Sequence, residues 1–360
     1  MDKRIRLIGL SLVVVMLVVT ACAPAAPAPA TSAQATAAPA KTSGGLVYYM
    51  APELLDEFQS GTQKMMLEDG KKLGYDIRAL NGANNATTQA SQMDDVINQK
   101  PKAIILAAVD AQSIVSEVQK ARAAGIAVLV YDRFIVDTPV DFTSVVGTVK
   151  IGQMAAAEVA KALKQKYGTE KGLVLELMGD SGDNYTVMID QGFSQAIAKY
   201  PDIKVIIKPT AGYDVTTSAS IVDDQLTANK NIDLIFVHAD FRVPAITPVL
   251  QAHGLKKGDV IIIGTDGAPT GLQSIRDGWM QETIGVPMDQ QVYGIWQYLE
   301  DAVAHKAFQA GTVDVQGVQS DIVNEKWGPT LYLPGQIVDK TNVDDANNWG
   351  NMKVDATKAP

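Results

Sequence analysis

An acid and a base stand side by side at Asp132 and Arg133, directly after Val128-Leu129-Val130-Tyr131. A carboxylate only accepts hydrogen bonds, and a guanidinium donates them in a planar fork. Together they can bind neighbouring hydroxyls of a polyol. The four residues before them show no polar alternation, which predicts a strand buried on both faces of a helix-covered parallel sheet. The pair then lies just past the carboxyl end of that strand, where open α/β sheets bind their ligands. The plain alternative is a solvated ion pair at a strand–loop boundary, since such pairs are common and weak.

The elements that must position this pair are legible in the pattern. From Gly44 the chain alternates short apolar runs (Leu46–Met50, Asp76–Leu80, Ala103–Ala108, Val128–Tyr131) with helical patterns near Leu54–Lys72, Thr87–Asn98 and Ala111–Ala124. Gly74, Pro101 and Gly125 punctuate them as helix ends and turns require. Repeated βα predicts a parallel sheet with helices on both faces. After a further apolar run, Asp141–Val146, the alternation restarts. Predicted helices Ile151–Lys166, Tyr185–Lys199, Thr216–Asn229 and Pro244–His253 lead to strands Leu173–Met178, Ile203–Ile207, Ile232–Val237 and Val260–Gly264. Two doubly wound halves of similar size follow, matching in pattern but not as a high-identity repeat. A helix over Asp289–His305 is left over, and the stretch after Ala310 reads as irregular.

A length of 360 residues suggests about two domains, and 47% hydrophobic residues can build a sizeable core. The formal net charge of -9 argues against nucleic acid as a partner, because a phosphate backbone needs a clustered basic face. Cys22 is the one cysteine, which excludes an intramolecular disulfide and a cysteine-ligated metal site. Residues 1–22 read as a targeting segment. Lys3, Arg4 and Arg6 precede an apolar run from Leu7 to Val19, short for a membrane span. The run ends in Val19-Thr20-Ala21-Cys22, which resembles a bacterial lipobox with Cys22 as the lipidated residue. Valine replaces the usual leucine three positions before it. Residues 23–43, almost all Ala, Pro, Thr and Ser, cannot bury apolar surface and predict a disordered tether.

Several stretches in order resemble the periplasmic sugar-binding proteins of the ribose, xylose and galactose type, with the xylose-binding branch most similar. They are Asn81–Asn98 (NGANNATTQASQMDDVIN), Val128–Asp141 (VLVYDRFIVDTPVD), Gly179–Phe193 (GDSGDNYTVMIDQGF), Gly264–Asp266 (GTD) and Val338–Val343 (VDKTNV). The resemblance spans residues 44–345. It implies a type I periplasmic-binding-protein-like α/β fold, with two doubly wound parallel-sheet lobes joined by a three-crossing hinge. The crossings are expected near Gly147, Ile284–Pro287 and Val318–Asp321. The first lobe is then 44–146 plus 287–317, the second 147–286 plus 318–345, and 346–360 a tail.

The resemblance also implies a ligand buried by hinge closure and site residues at matching positions. In the first lobe these are Asp56, Phe58, Gln59, Asp132 and Arg133. Asp56 also reads as a helix-start carboxylate, and Phe58 as core. In the second lobe they are Asn184, Tyr213, His238, Asp240 and Asp266. Asn184, flanked by Asp183 and Tyr185, also reads as a helix cap. Tyr213 falls where xylose-type relatives place a stacking tryptophan. The chain departs from the pattern at Ala239, which stands for an amide, at Val286, which stands for a polar contact, and at Val187, near the place of an arginine in ribose binders. The expected function is an extracytoplasmic lipoprotein that captures a monosaccharide and delivers it to an ABC permease. It would be a monomer on the membrane through its lipid only, with no cofactor, no metal and no catalytic residue. A sensory protein docking on a chemoreceptor or kinase ectodomain, or a binder of a non-sugar hydroxylated solute, is the alternative.

Enzyme classes find little support. A nucleotide site needs a glycine-rich turn after a strand, but Ala51-Pro52-Glu53 follows the first one. Gly179–Gly182 lacks the full fingerprint. His238, His253 and His305 are far apart, and no G-x-S-x-G elbow is present.

Overall fold

The computed structural model describes residues 44–229 and 231–352. The expected signal segment, Cys22 and the tether lie outside the described residues. The first lobe runs β1 (Leu46–Ala51), α1 (Glu57–Lys72), β2 (Asp76–Asn81), α2 (Ala86–Asn98), β3 (Ala103–Leu106), α3 (Val115–Ala123), β4 (Ala127–Tyr131) and β5 (Phe142–Val146). Strands β3, β4 and β5 are buried throughout, as a sheet covered on both faces requires.

The chain then enters the second lobe. It runs α4 (Thr148–Tyr167), β6 (Gly172–Leu177), α5 (Asn184–Ile197), β7 (Ile203–Lys208), α6 (Val215–Ala228), β8 (Leu234–Val237), α7 (Val243–Ala252), β9 (Ile261–Asp266), α8 (Pro269–Arg276) and β10 (Glu282–Gly285). It returns through α9 (Met288–Val303), β11 (Gly311–Val315), β12 (Val318–Glu325) and β13 (Gly328–Leu333), and crosses again to β14 (Gln336–Asp339). One sheet has the order β11-β12-β13-β5-β4-β3-β1-β2, the other β14-β10-β9-β8-β6-β7. Pairing is parallel within each winding. The pairs β11–β12, β12–β13 and β10–β14 are antiparallel additions at the edges.

Two expectations are corrected here. The stretch after Ala310 is not irregular: it forms strands, with alternate burial along β12 that suits a sheet with one face open to solvent. Residues 318–333 also belong to the first sheet, because β13 pairs in parallel with β5. The third crossing therefore falls at Pro334-Gly335 instead of Val318–Asp321. There a Cβ on Gly335 would lie 2.8 Å from Ile284 Cγ2 and 3.1 Å from Ile151 Cγ1. The hinge strand can run this close to its neighbours only as glycine. The crossings at Gly147 and Pro334 are tied together, since Gly147 N donates to Leu333 O at 2.9 Å.

Candidate functional site

A cleft of about 330 Å³, measured to its open mouth, lies between the carboxyl ends of the two sheets. Asp56, Phe58, Gln59, Asp132 and Arg133 line it from the first lobe. Asp183, Tyr185, Tyr213, Ala239, Phe241 and Asp266 line it from the second.

Each wall residue is fixed locally. Asp56 caps α1, accepting from Gln59 N at 2.6 Å. Phe58 and Gln59 occupy the following turn. Phe58 stacks on Tyr131 with centroids 6.5 Å apart. The Gln59 amide donates to Asp132 at 3.2 Å, while its Oε1 is buried without a partner. Arg133 donates to Ala108 O at 3.1 Å. Its Nε lies 3.2 Å from Asp183 Oδ2, an ion pair between the lobes without hydrogen-bond alignment.

On the opposite wall, Asp183 caps α5 through Tyr185 N at 2.9 Å. It also accepts from the Tyr213 hydroxyl at 2.9 Å. Tyr213 is backed by the Arg242 guanidinium, 5.5 Å from its ring centroid. A Cβ on Gly179 would lie 2.0 Å from that ring, so glycine is what lets the tyrosine settle there. Asp266 accepts from the Tyr185 hydroxyl at 2.5 Å.

Backbone strain marks the same place. Asp132, Tyr213, Ala239 and Asp266 have φ of 64°, 54°, 75° and 99°. A positive φ is uncommon outside glycine, and such residues gather at functional sites. Here four separate stretches of chain each bring one to the cleft, out of nine such residues among those described.

Burial governs the acids. It raises Asp132 to about 7, helped by Asp183 and opposed by Arg133. It raises Asp266 to about 6, against the Tyr185 hydrogen bond. Asp56 is raised by burial and then by its neighbour Glu53. The carboxylates outnumber the one guanidinium, and charge without a counter-charge is costly away from water.

Seven of the ten expected contacts thus meet in one cleft. The other three are placed elsewhere. Asn184 turns its amide to Phe134 O at 3.1 Å, joining the lobes outside the cavity. His238 is fully buried in the second lobe, between Thr186 (2.6 Å) and Glu176 (3.0 Å). Asp240 is also fully buried and accepts from Gly267 N, Ala268 N and Thr283 Oγ1 at 2.9, 3.0 and 2.7 Å. It braces the turn that aims Asp266. His238 and Asp240 share a physical reason: Ala239, at positive φ, turns the chain so that Ala239 and Phe241 face the cleft while these two face the core.

Beyond the expected contacts, Asp183, Tyr185 and Phe241 line the cleft, and Trp349 packs behind Asp266. The cap signal D-x-Y was the one available for Asp183. Trp349 lies in the stretch taken as a tail. Its indole N–H donates to Asp266 O at 2.6 Å, and its ring meets Phe58 of the other lobe edge-on at 5.7 Å. Among the described residues, no group of three or more His, Cys, Asp or Glu side chains is spaced to hold a metal ion.

Comparisons with known proteins agree with this architecture. Over 234 residues the chain is 29% identical to the D-apiose import binding protein of Actinobacillus succinogenes, covering 65% of this chain and 74% of that one. It is 28% identical to the ribose import binding protein RbsB of Salmonella typhimurium, covering 64% and 74%. The fold matches that of an ABC transporter solute binding protein from Bacillus halodurans solved with myo-inositol, with a TM-score of 0.71 at 21% identity over 84% of this chain and 96% of that one. Residues 47–307 match the family described as periplasmic binding protein domain. With two lobes around one cleft and most of its length inside that match, the chain belongs to the periplasmic binding protein domain family.

Proposed function

We propose that the protein captures a monosaccharide or close relative between its lobes and delivers it to an ABC permease, held at the outer face of the membrane by a lipid on Cys22. The observation that carries this reading is the pairing of Asp132 and Arg133 with Gln59, Asp266 and the rings of Phe58 and Tyr213 in a single interlobe cleft. Carboxylate, amide and guanidinium groups match the hydroxyls of a sugar, and aromatic faces match its C–H surface. The import binding proteins for apiose and ribose named above support the same ligand class.

Lobe closure is the binding mechanism. The hinge strands rotate, Arg133 meets Asp183, and the sugar is enclosed. Each buried polar wall group then needs a partner on the ligand, which makes a missing or inverted hydroxyl costly. No residue is assigned a catalytic role.

A thermal-shift screen of the full chain against pentoses, hexoses, deoxy sugars and polyols tests the reading. A ligand at 100 times its Kd adds about 2.7 kcal/mol to the folded state. The expected result is a response to one sugar class, lost in Asp132→Ala and in Arg133→Ala. Silence across the panel, with a response to an unrelated solute, would overturn it. Anchoring is tested separately: Cys22→Ala should release the protein from the membrane fraction. Delivery is tested by sugar uptake in cells lacking this chain.

A further inference from the structure

The cleft has an unbalanced charge. Among the described residues, Asp56, Asp132, Asp183 and Asp266 face one cation, Arg133, and no lysine lines the wall. Arg242 lies behind Tyr213 but is fully buried, with its donors on the carbonyls of Met178 and Leu177 at 3.0 and 2.9 Å. Asp183 already holds Arg133, and Asp56 caps α1. Asp132 and Asp266, one from each lobe, have only neutral donors: the Gln59 amide for the first, the Tyr185 and Thr265 hydroxyls for the second. The buried Gln59 Oε1 beside them has no partner. It is a further acceptor awaiting a donor.

An acceptor-rich, donor-poor wall fits a ligand that is rich in donors. A neutral sugar hydroxyl gives one proton to a hydrogen bond, whereas an ammonium gives three and carries the missing charge. The rings of Phe58, Tyr213 and Phe241 around the same space favour a cation as well. The spacing of the carboxylates does not suit a bare metal ion among the described residues.

We propose that the ligand is an amine-bearing sugar or cyclitol, whose ammonium sits between Asp132 and Asp266 while its hydroxyls meet Arg133 and Gln59. This rests on the sugar-capture reading and narrows it. The ammonium would bridge the two lobes, so its binding and the closure of the cleft are one event.

The test is calorimetry of the full chain with D-glucosamine, D-galactosamine and D-mannosamine, each beside its neutral parent and its N-acetyl derivative. A pH of about 7.5 leaves Asp132, at about 7, and Asp266, at about 6, mostly ionised, while an amine held between them keeps its proton. Charge-assisted hydrogen bonds predict that one amine binds about tenfold to a hundredfold tighter than its parent. Acetylation should abolish the advantage. Asp132→Asn should also erase it without harming the fold, since asparagine tolerates the φ of 64° at that position. A parent that binds as tightly as its amine, or tighter, overturns the inference and leaves sugar capture standing. Silence from amines and from every neutral sugar overturns both. A preference that survives in both Asp132→Asn and Asp266→Asn overturns the placement of the ammonium.

Discussion

The Arg133 guanidinium and the Asp183 carboxylate meet at 3.2 Å across the two lobes, each less than a tenth exposed. Asp183 is at once the cap of α5, the acceptor of the Tyr213 hydroxyl and the partner of Arg133. One carboxylate therefore couples helix start, stacking ring and lobe contact. Removing one partner of a buried pair costs about 3–5 kcal/mol, because the other charge is left without compensation. Arg133→Ala should weaken ligand binding about a hundredfold or more by calorimetry, with an unchanged circular dichroism spectrum. An Arg133→Ala protein that binds normally would show that this contact is idle.

Protons should stabilise the folded chain. Asp132 at about 7 and Asp266 at about 6 are both raised above the ordinary aspartate value near 3.9. Both groups favour the folded state when protonated. That contribution is complete below about pH 4 and is lost as pH rises through 6 and 7. The groups that face them are Asp183, Arg133 and, behind Tyr213, Arg242, with Asp56 on α1 and the Tyr185 hydroxyl. The melting temperature of the ligand-free chain should therefore fall between about pH 4 and pH 7. Asp132→Asn should flatten that slope. A melting temperature that climbs over this interval would contradict the assignment.

Asp240 should behave as a brace and not as a contact. It satisfies two backbone N–H groups and the Thr283 hydroxyl with no exposure of its own. Asp240→Ala leaves those donors buried and unpaired, at about 1–3 kcal/mol each. The expected outcome is a lower denaturant midpoint together with weaker binding, since the turn carrying Asp266 loosens. The order of preference among sugars should stay the same. A changed order at unchanged stability would mean that Asp240 touches the ligand after all.

Gly179 gives the sharpest steric test. Its absent Cβ would sit 2.0 Å from the Tyr213 ring. Gly179→Ala should displace the ring and mimic Tyr213→Ala. Aromatic contacts are worth about 0.5–1.5 kcal/mol, so both should raise Kd by up to about tenfold. The double variant should be no worse than either single one, because both remove the same contact. Additive losses would separate them.

The lobes were legible in the sequence because buried parallel strands carry continuous apolar runs, as in Ala103–Leu106 and Val128–Tyr131. The antiparallel strands near one edge were not. In β12 only alternate residues are buried, and its pairing with β13 depends on partners distant in the chain. That is why residues 318–333 were expected in the wrong lobe. At the cleft, the position of residues at strand ends could be read, as for Asp132, Arg133 and Asp266. Direction around a turn could not. Asn184, His238 and Asp240 have suitable chemistry, but a positive φ at Ala239 sends two of them into the core. No residue type announces that an alanine will take that conformation.

Trp349 gives the molecule an optical label of its own. Its indole N–H is fixed to Asp266 O in the second lobe, and its ring edge rests on Phe58 in the first. Parting the lobes removes Phe58 and admits water to one face of the indole. Trp296, by contrast, is stacked on Tyr75 within the first lobe and has no such boundary to cross. Emission from Trp349 should therefore shift to the red on opening and to the blue on capture. The rate of that colour change would time the hinge directly, without any attached dye.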